Sequence, residues 1–329
     1  MAGFIRYNSY LFDAEQLFAM QLIRGLHNLS KQHLGCALTI GNFDGLHLGH
    51  MEIIANLNNE AKKRNLQSCL MSFEPLPQEY FCRHTAPARL HRLREKWCVL
   101  QDTPLDYFLC CKFNHQFADL SADDFIKDIL VDKLNVKYLL IGDDFHFGQN
   151  RSGDFKKLLQ AGEKYGFEVH NSPSHCYQDE RISSTRVRQA LMNNHLDQAE
   201  EMLGRPYQIC GRVAHGEKRG RTIGFPTANI KTHRHATAVH GVYAVHLSDG
   251  NTLSHNGVAN IGKRPTVDGH HLQLEVHLFD FQGDLYGQQV CVEFIKKIRD
   301  EKRFDSFEEL KQQIKKDSEQ AKSFFADTQ

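Results

Sequence analysis

The sequence predicts two unlike halves: an α/β half built on a parallel sheet, then a small antiparallel β-barrel followed by a terminal helix. Three observations predict it. From residue 36 to 203, short apolar runs with β-branched residues alternate with stretches of helical period, the pattern of an open sheet covered by helices. Around Leu203-Gly204-Arg205-Pro206-Tyr207 this changes to nearly all strand, and five or six strands in about 100 residues suit a closed barrel. From Ser306 a helical period resumes. A length of 329 residues allows about two domains, each with its own core. The predicted divisions are an N-terminal extension over 1–19, a first domain over 20–203 and a second over 204–329.

Taken in order, residues 1–19 show neither a signal-peptide pattern nor a clear period, and they read as an N-terminal extension or the product of an upstream start codon. Residues 36–40 read as a buried strand, 41–49 as a loop with three glycines in nine residues, and Leu48 opens a helix with Ile53, Ile54, Leu57 and Ala61 on one stripe. Strands are expected at 68–73, 107–112 and 137–142, and extended chain at 167–170. Helices are expected at 87–100, 121–134 (Ser121 as N-cap), 156–165 and from Ser184 or Thr185 to 203. In the second half, strands are expected at 209–214, 241–247, 254–261, 272–281 and 289–298. Ser306 and Glu309 form a capping box for the last helix, whose stripe is Phe307, Leu310, Ile314, Ala321 and Phe324.

Composition excludes several classes of function. Lys plus Arg equals Asp plus Glu at 40 each, so nothing favours a nucleic-acid partner, and the basic triplet at 62–64 reads as a solvated helix face. No apolar run nears the roughly 18–20 residues that span a bilayer, so no membrane association is expected. The nine cysteines show no Cys-x-x-Cys and no zinc spacing, which predicts reduced thiols and a cytoplasmic protein. His233 and His235 read as loop residues rather than a metal pair.

Chemistry gathers at the predicted carboxyl ends of the strands, where open α/β sheets bind ligands. A glycine-rich turn before a helix aims free N–H groups at an anion. His47 and His50, three apart at that helix entrance, can donate to the same phosphate and stabilise charge that develops during transfer. Ser184, Thr185 and Arg188 form a second set of anion donors at a helix start. In the second half, Thr227 and Asn229 lie two apart on one face of an extended segment, and their hard oxygens suit Mg²⁺. Glycines at 211, 216, 220 and 224 suggest a loop that covers phosphate.

The run Gly41, Phe43, Asp44, Gly45, His47, Gly49 and His50 resembles the signature of the nucleotidyltransferases, within them the FAD synthetase branch. The resemblance implies a Rossmann-like domain that adenylates FMN with ATP and releases pyrophosphate, with Gly41, Phe43, Asp44, Gly49, His47 and His50 around the phosphates. Ile182-Ser183-Ser184-Thr185 with Arg188 resembles the motif that follows in that superfamily. By that likeness Ser184, Thr185 and Arg188 hold ATP phosphates, with Arg181 nearby. Gly142, Asp144, Phe145, Phe147 and Gly148 are similar to a family loop that places Asp144 by the nucleotide or the flavin phosphate. The segment 73–77 is similar to another, which often carries histidine at the position of Leu76.

In the second half, Gly224-Phe225-Pro226-Thr227-Ala228-Asn229, with segments at 241–245, 257–266, 274–278 and 284–287, resembles riboflavin kinase. That implies Thr227 and Asn229 on Mg-ATP, Gly216 and Gly220 in the phosphate-covering loop, and Glu275 as general base toward the ribityl 5′-hydroxyl of riboflavin. A solvent-facing carboxylate, or one facing Arg264, is the structural alternative for Glu275. Together the motifs resemble bacterial bifunctional riboflavin kinase/FAD synthetases, with riboflavin, FMN and ATP as substrates, FAD as product and Mg²⁺ as cofactor. Two rivals are a nucleotidyltransferase with a different acceptor (a pantetheine, choline or nicotinamide phosphate) and a flavin-binding or regulatory protein with inactive sites.

Overall fold

The computed structural model describes residues 20–83, 85–142, 144–173, 175–214, 225–248, 254–266 and 269–327. Residues 1–19, Gly216, Gly220 and Gly224 lie outside the described residues. The chain parts into two compact units: one carries the sheet, and the other, from Ser184 onward together with Ala88–Leu90, carries the barrel.

The sheet has six strands in the order β1-β4-β3-β2-β5-β6, all parallel. They are β1 (Gln21–Arg24), β2 (Ala37–Ile40), β3 (Ser68–Glu74), β4 (Tyr107–Lys112), β5 (Tyr138–Gly142) and β6 (Glu168–Ser172). All four residues of β2 are buried, as a central strand covered on both faces requires. The edge strand β1 was not foreseen as a strand, since four residues with one buried side chain leave little period to read. β3 and β4 lie to one side of β2, β5 and β6 to the other. The loop after β2 therefore opens at the topological switch point.

Helix α1 (Leu48–Lys63) follows that loop and packs Met51, Ile54, Leu57 and Ala61 inward. The helices α2 (Pro77–Phe81), α3 (Leu93–Leu100), α4 (His115–Ala118), α5 (Ala122–Asp124) and α6 (Phe155–Tyr165) follow. Ser121 caps α5 as expected, but the helix continues over Phe125–Lys133 with π-helical hydrogen bonding. The helix expected over 87–100 is confined to Leu93–Leu100. Residues 88–90 are taken up elsewhere in their own unit. Arg188 Nε donates to the Ala88 carbonyl (2.7 Å), and Arg234 donates to the Arg89 and Leu90 carbonyls, so these oxygens serve guanidinium groups rather than a helical ladder.

The single helix expected up to Leu203 is two, α7 (Ser184–Met192) and α8 (Leu196–Leu203), divided at the left-handed Asn194 (φ 62°). The barrel closes as β10-β13-β12-β11-β14-β9. Between the short hairpin β7 (Cys176–Tyr177) and β8 (Glu180–Arg181) and the last helix run β9 (Gln208–Ala214), β10 (Ala228–Lys231), β11 (Gly241–Ser248), β12 (Ser254–Thr266), β13 (Gly269–Leu278) and β14 (Gln289–Arg299). Alternation along β13 is clean: Leu272, Leu274, Val276 and Leu278 point into the core.

Helix α9 (Phe307–Asp327) lays Ala321 and Phe325 on Val242, Ala244 and Val258. Asp317 holds this face against β14 through a two-pronged pairing with Arg299 (2.8 and 2.9 Å). The expected stripe is shifted accordingly: Phe307 is exposed, and Phe325 rather than Phe324 is the deeply buried ring.

One expectation fails outright. Cys210 and Cys291 face each other across β9 and β14, Cα atoms 4.0 Å apart, and are disulfide-bonded. Their separation of 81 residues carries no local signal, because only strand register brings them together. The other seven cysteines are thiols.

Candidate active sites

In the sheet unit, the β2–α1 loop is held from below. The Asn42 carbonyl accepts from Ser72 Oγ (3.1 Å) and from Lys96 Nζ (2.5 Å), and Lys96 is only 1% exposed. Phe43, Gly45 and Leu46 are all left-handed, a run of backbone bends that only a fully braced loop sustains. Phe43 and Leu46 are buried, and the Phe43 ring lies under His50 at 5.0 Å. A Cβ at Gly41 would meet that ring at 3.1 Å, so Gly41 makes room for it. Asp44 is buried and accepts from the His91 N–H (2.9 Å), which ties the loop to the approach of α3. Phe43 and Asp44 thus shape the loop from beneath.

The two histidines come together as expected. Their rings stack with centroids 3.6 Å apart and 17° between planes. His47 is the N-cap of α1, and its Nδ1 accepts from the His50 N–H (3.4 Å). A nitrogen that accepts carries no proton, so the proton of the neutral ring sits on Nε2, where it can be donated. A Cβ at Gly49 would stand 3.3 Å from His47 Nδ1, tight enough to push the ring aside. His175, beside Gly49, pairs its Nδ1 with Glu52 of α1 (2.7 Å).

Asp144 and Arg181 are also brought together, Oδ1 to Nη2 at 2.9 Å, as an exposed pair that an incoming phosphate could exchange at little cost. In the other unit, α7 begins at Ser184, so Ser183 precedes it and Ser184 and Thr185 lie in its first turn, where N–H groups lack helical partners. Arg188 sits one turn further on, its Nε on the Ala88 carbonyl.

The barrel site lies on the outer face of three adjacent strands. Asn229 of β10 stands directly opposite Glu275 of β13, and Asn260 of β12 stands opposite Glu275 on its other side. Gln273 donates to both Glu275 Oε1 and Asn229 Oδ1, each at 2.8 Å. His277 shares a hydrogen bond with the Pro226 carbonyl (2.9 Å), and its ring meets Phe225 edge-on at 5.2 Å. Thr227 immediately precedes β10, so its hydroxyl and the Asn229 carboxamide fall on the same side. The donors are hard oxygens, and the Asn229 oxygen keeps a second lone pair while it accepts from Gln273; the set fits Mg²⁺ with phosphate and water completing its shell. Among the described residues no group of three or more His, Cys, Asp or Glu could hold a metal.

Lys96, Gln273, Asn260 and His277 were not singled out from the sequence. For Gln273 and His277 a signal existed: the polar positions of 272–278 alternate, so both had to share a face with Glu275. Lys96 gave none, since a lysine in an arginine-rich amphipathic stretch reads as solvated.

Known proteins resemble both halves of the chain. A family model described as FAD synthetase matches residues 29–186, and one described as riboflavin kinase matches 203–325. The bifunctional riboflavin kinase/FMN adenylyltransferase of Haemophilus influenzae is 53% identical over 306 residues, covering 93% of this chain and 99% of that protein. The Escherichia coli K12 protein of the same description is 52% identical over 307 residues, 93% and 98% of the two chains. The chain belongs to the bifunctional riboflavin kinase/FMN adenylyltransferase family. A crystal structure titled a macrolide-efflux protein from Streptococcus pneumoniae shares the fold: TM-score 0.73, 30% identity, 91% of this chain and 97% of that one. No helix among the described residues is long and apolar enough to cross a membrane.

Lys96 braces the β2–α1 loop from a buried position, its ammonium donating to the Asn42 carbonyl. Lys96→Met should lower FAD formation from FMN about tenfold and leave FMN formation from riboflavin unchanged. The Asn42 carbonyl keeps one donor in the variant, the Ser72 hydroxyl. Separate assays with the two flavins, alongside thermal unfolding, check this.

Proposed function

We propose that the two activities of the family are carried by two separate ATP sites, the adenylyltransferase over 20–203 and the kinase over 204–329. The observation that carries this reading is the outer-face cluster of Asn229, Gln273 and Glu275, a carboxylate set beside an oxygen ligand on a scaffold unrelated to the parallel sheet.

In the kinase half, the 5′-hydroxyl oxygen of riboflavin bonds to the γ-phosphorus of ATP and the bond to the β-γ bridging oxygen breaks, releasing ADP. Glu275 accepts the hydroxyl proton as the phosphoryl group transfers, since an alcohol is too weak an acid to ionise beforehand. Thr227 and Asn229 would hold Mg²⁺, which supplies charge neutralisation on the phosphate oxygens when bound.

In the adenylyltransferase half, a phosphate oxygen of FMN attacks the α-phosphorus of ATP and pyrophosphate leaves. The nucleophile is already an anion, so no enzymic base is needed. His47 and His50 donate to phosphate oxygens from the start of α1. Gly41 and Gly49, with Phe43 and Asp44, keep the loop open to the nucleotide. Ser184, Thr185 and Arg188 supply a second set of donors for ATP, with Arg181 beside them, and Asp144 lies by the flavin phosphate. The shared substrates are small molecules, and the kinase product is the acceptor of the second reaction.

The test is one incubation of riboflavin with Mg-ATP, sampled over time and separated by chromatography. FMN should rise first and FAD follow after a lag. FMN without FAD would contradict the adenylyltransferase assignment, and neither flavin would contradict both.

A further inference from the structure

We propose that Gln273 is the positioning residue of the kinase site: it sets which end of the Asn229 carboxamide is offered to the cation. The inference rests on the reading of Asn229 as a metal ligand and Glu275 as the base.

The two ends of a carboxamide have nearly the same shape, and only their hydrogen-bond partners tell oxygen from nitrogen. Here one partner has a single possible role. A carboxylate that acts as a base is ionised and can only accept. The end of Gln273 that lies 2.8 Å from Glu275 Oε1 must therefore be the NH₂ group. That nitrogen carries two hydrogens. One is committed to Glu275, and the other points at Asn229, again at 2.8 Å, so the Asn229 atom facing it must be the oxygen. Polarity is passed from Glu275 through Gln273 to Asn229.

Without that relay the Asn229 amide could turn over and offer its NH₂ group, which repels a divalent cation. With it, the oxygen is fixed and retains a lone pair for the metal. The strand makes the arrangement compulsory. Gln273 and Glu275 are two apart on β13 and so share its outer face, while Asn229 stands across from Glu275 on β10. His277, two residues beyond, acts on the other side in the same manner, since its Nδ1 and the Pro226 carbonyl steady the residue before Thr227. A metal site of this kind has its ligands aimed by neighbours whose loss typically costs 10–100-fold in affinity.

The experiment uses the full chain and three forms: wild type, Gln273→Met, which keeps the length and removes the donor, and Asn229→Ala. Mn²⁺ with ADP serves as the probe, and binding is followed by the loss of the free Mn²⁺ paramagnetic resonance signal. The Mg²⁺ concentration for half-maximal FMN formation is measured in parallel. In Gln273→Met the kinase-half Mn²⁺–ADP affinity should weaken about 10–100-fold, the Mg²⁺ requirement should rise by the same factor, and the KM for riboflavin should stay unchanged. FAD formation from FMN should be unaffected. In Asn229→Ala the kinase-half binding should disappear. Unchanged Mn²⁺–ADP binding and Mg²⁺ requirement in Gln273→Met, with binding lost in Asn229→Ala, would overturn the role of Gln273 while leaving the metal site standing. Binding retained in Asn229→Ala would instead overturn the metal assignment, and the relay with it. If circular dichroism shows that Gln273→Met does not fold, Gln273→Ser at this outward position puts the same question with the same outcomes.

Discussion

Asn229→Ala should abolish the formation of FMN from riboflavin, a fall of at least about 10³-fold, and leave the formation of FAD from supplied FMN at its normal rate. On the proposed reading Thr227 and Asn229 offer oxygens to the cation, so losing that of Asn229 weakens its hold on the phosphates. Charge stabilisation of a phosphoryl group by a bound cation amounts to several kcal/mol, and each 1.36 kcal/mol is a factor of ten in rate. The substitution has a second consequence. Gln273 loses the acceptor for one hydrogen and is free to swing toward Glu275 alone, so the carboxylate is less well placed as well. The paired histidines of the adenylyltransferase motif lie on the sheet unit, which has its own core including Leu38, Met71, Leu109 and Leu139. Chromatography of the flavin products from the two separate substrates checks the result. Loss of both activities in this one variant would contradict independent sites.

What could be read from the sequence follows the range of the forces involved. β2, its loop and α1 were legible because each depends on neighbours in the chain: a buried apolar run, three glycines, a cap and a helical stripe. β4 was located to the residue for the same reason. The failures are non-local. Residues 88–90 look helical by period, yet their carbonyls are claimed by Arg188 and Arg234, about 100 and 145 positions later. Cys210 and Cys291 meet only through strand register. Asn194 breaks a continuous stripe with one left-handed residue, a choice that a polar side chain permits but does not announce. At the sites, the motif residues were found and their supports were not. Lys96 and Gln273 touch motif residues through contacts that exist only after folding.

His47→Ala should do the converse of Asn229→Ala, lowering FAD formation by about 10² to 10³-fold, the usual loss when a fixed donor to developing negative charge is removed. Alanine alone would confound two effects, because His47 also caps α1 through Nδ1 and an N-cap is worth about 1 kcal/mol. His47→Asn separates them. Asparagine is among the best N-caps, and its Oδ1 can take the His50 N–H in place of the imidazole. It is too short to carry a donor to where Nε2 stood, and it cannot stack on His50. The asparagine variant should therefore unfold at the wild-type temperature and still lose FAD formation to nearly the alanine level, with FMN formation intact in both. If asparagine restored FAD formation along with stability, His47 would be a helix cap and no more, and the donor to the phosphates would have to be sought in His50 alone. The stacked geometry argues against that outcome, because an asparagine side chain has no ring to lie on that of His50, as the imidazole of His47 does with centroids 3.6 Å apart.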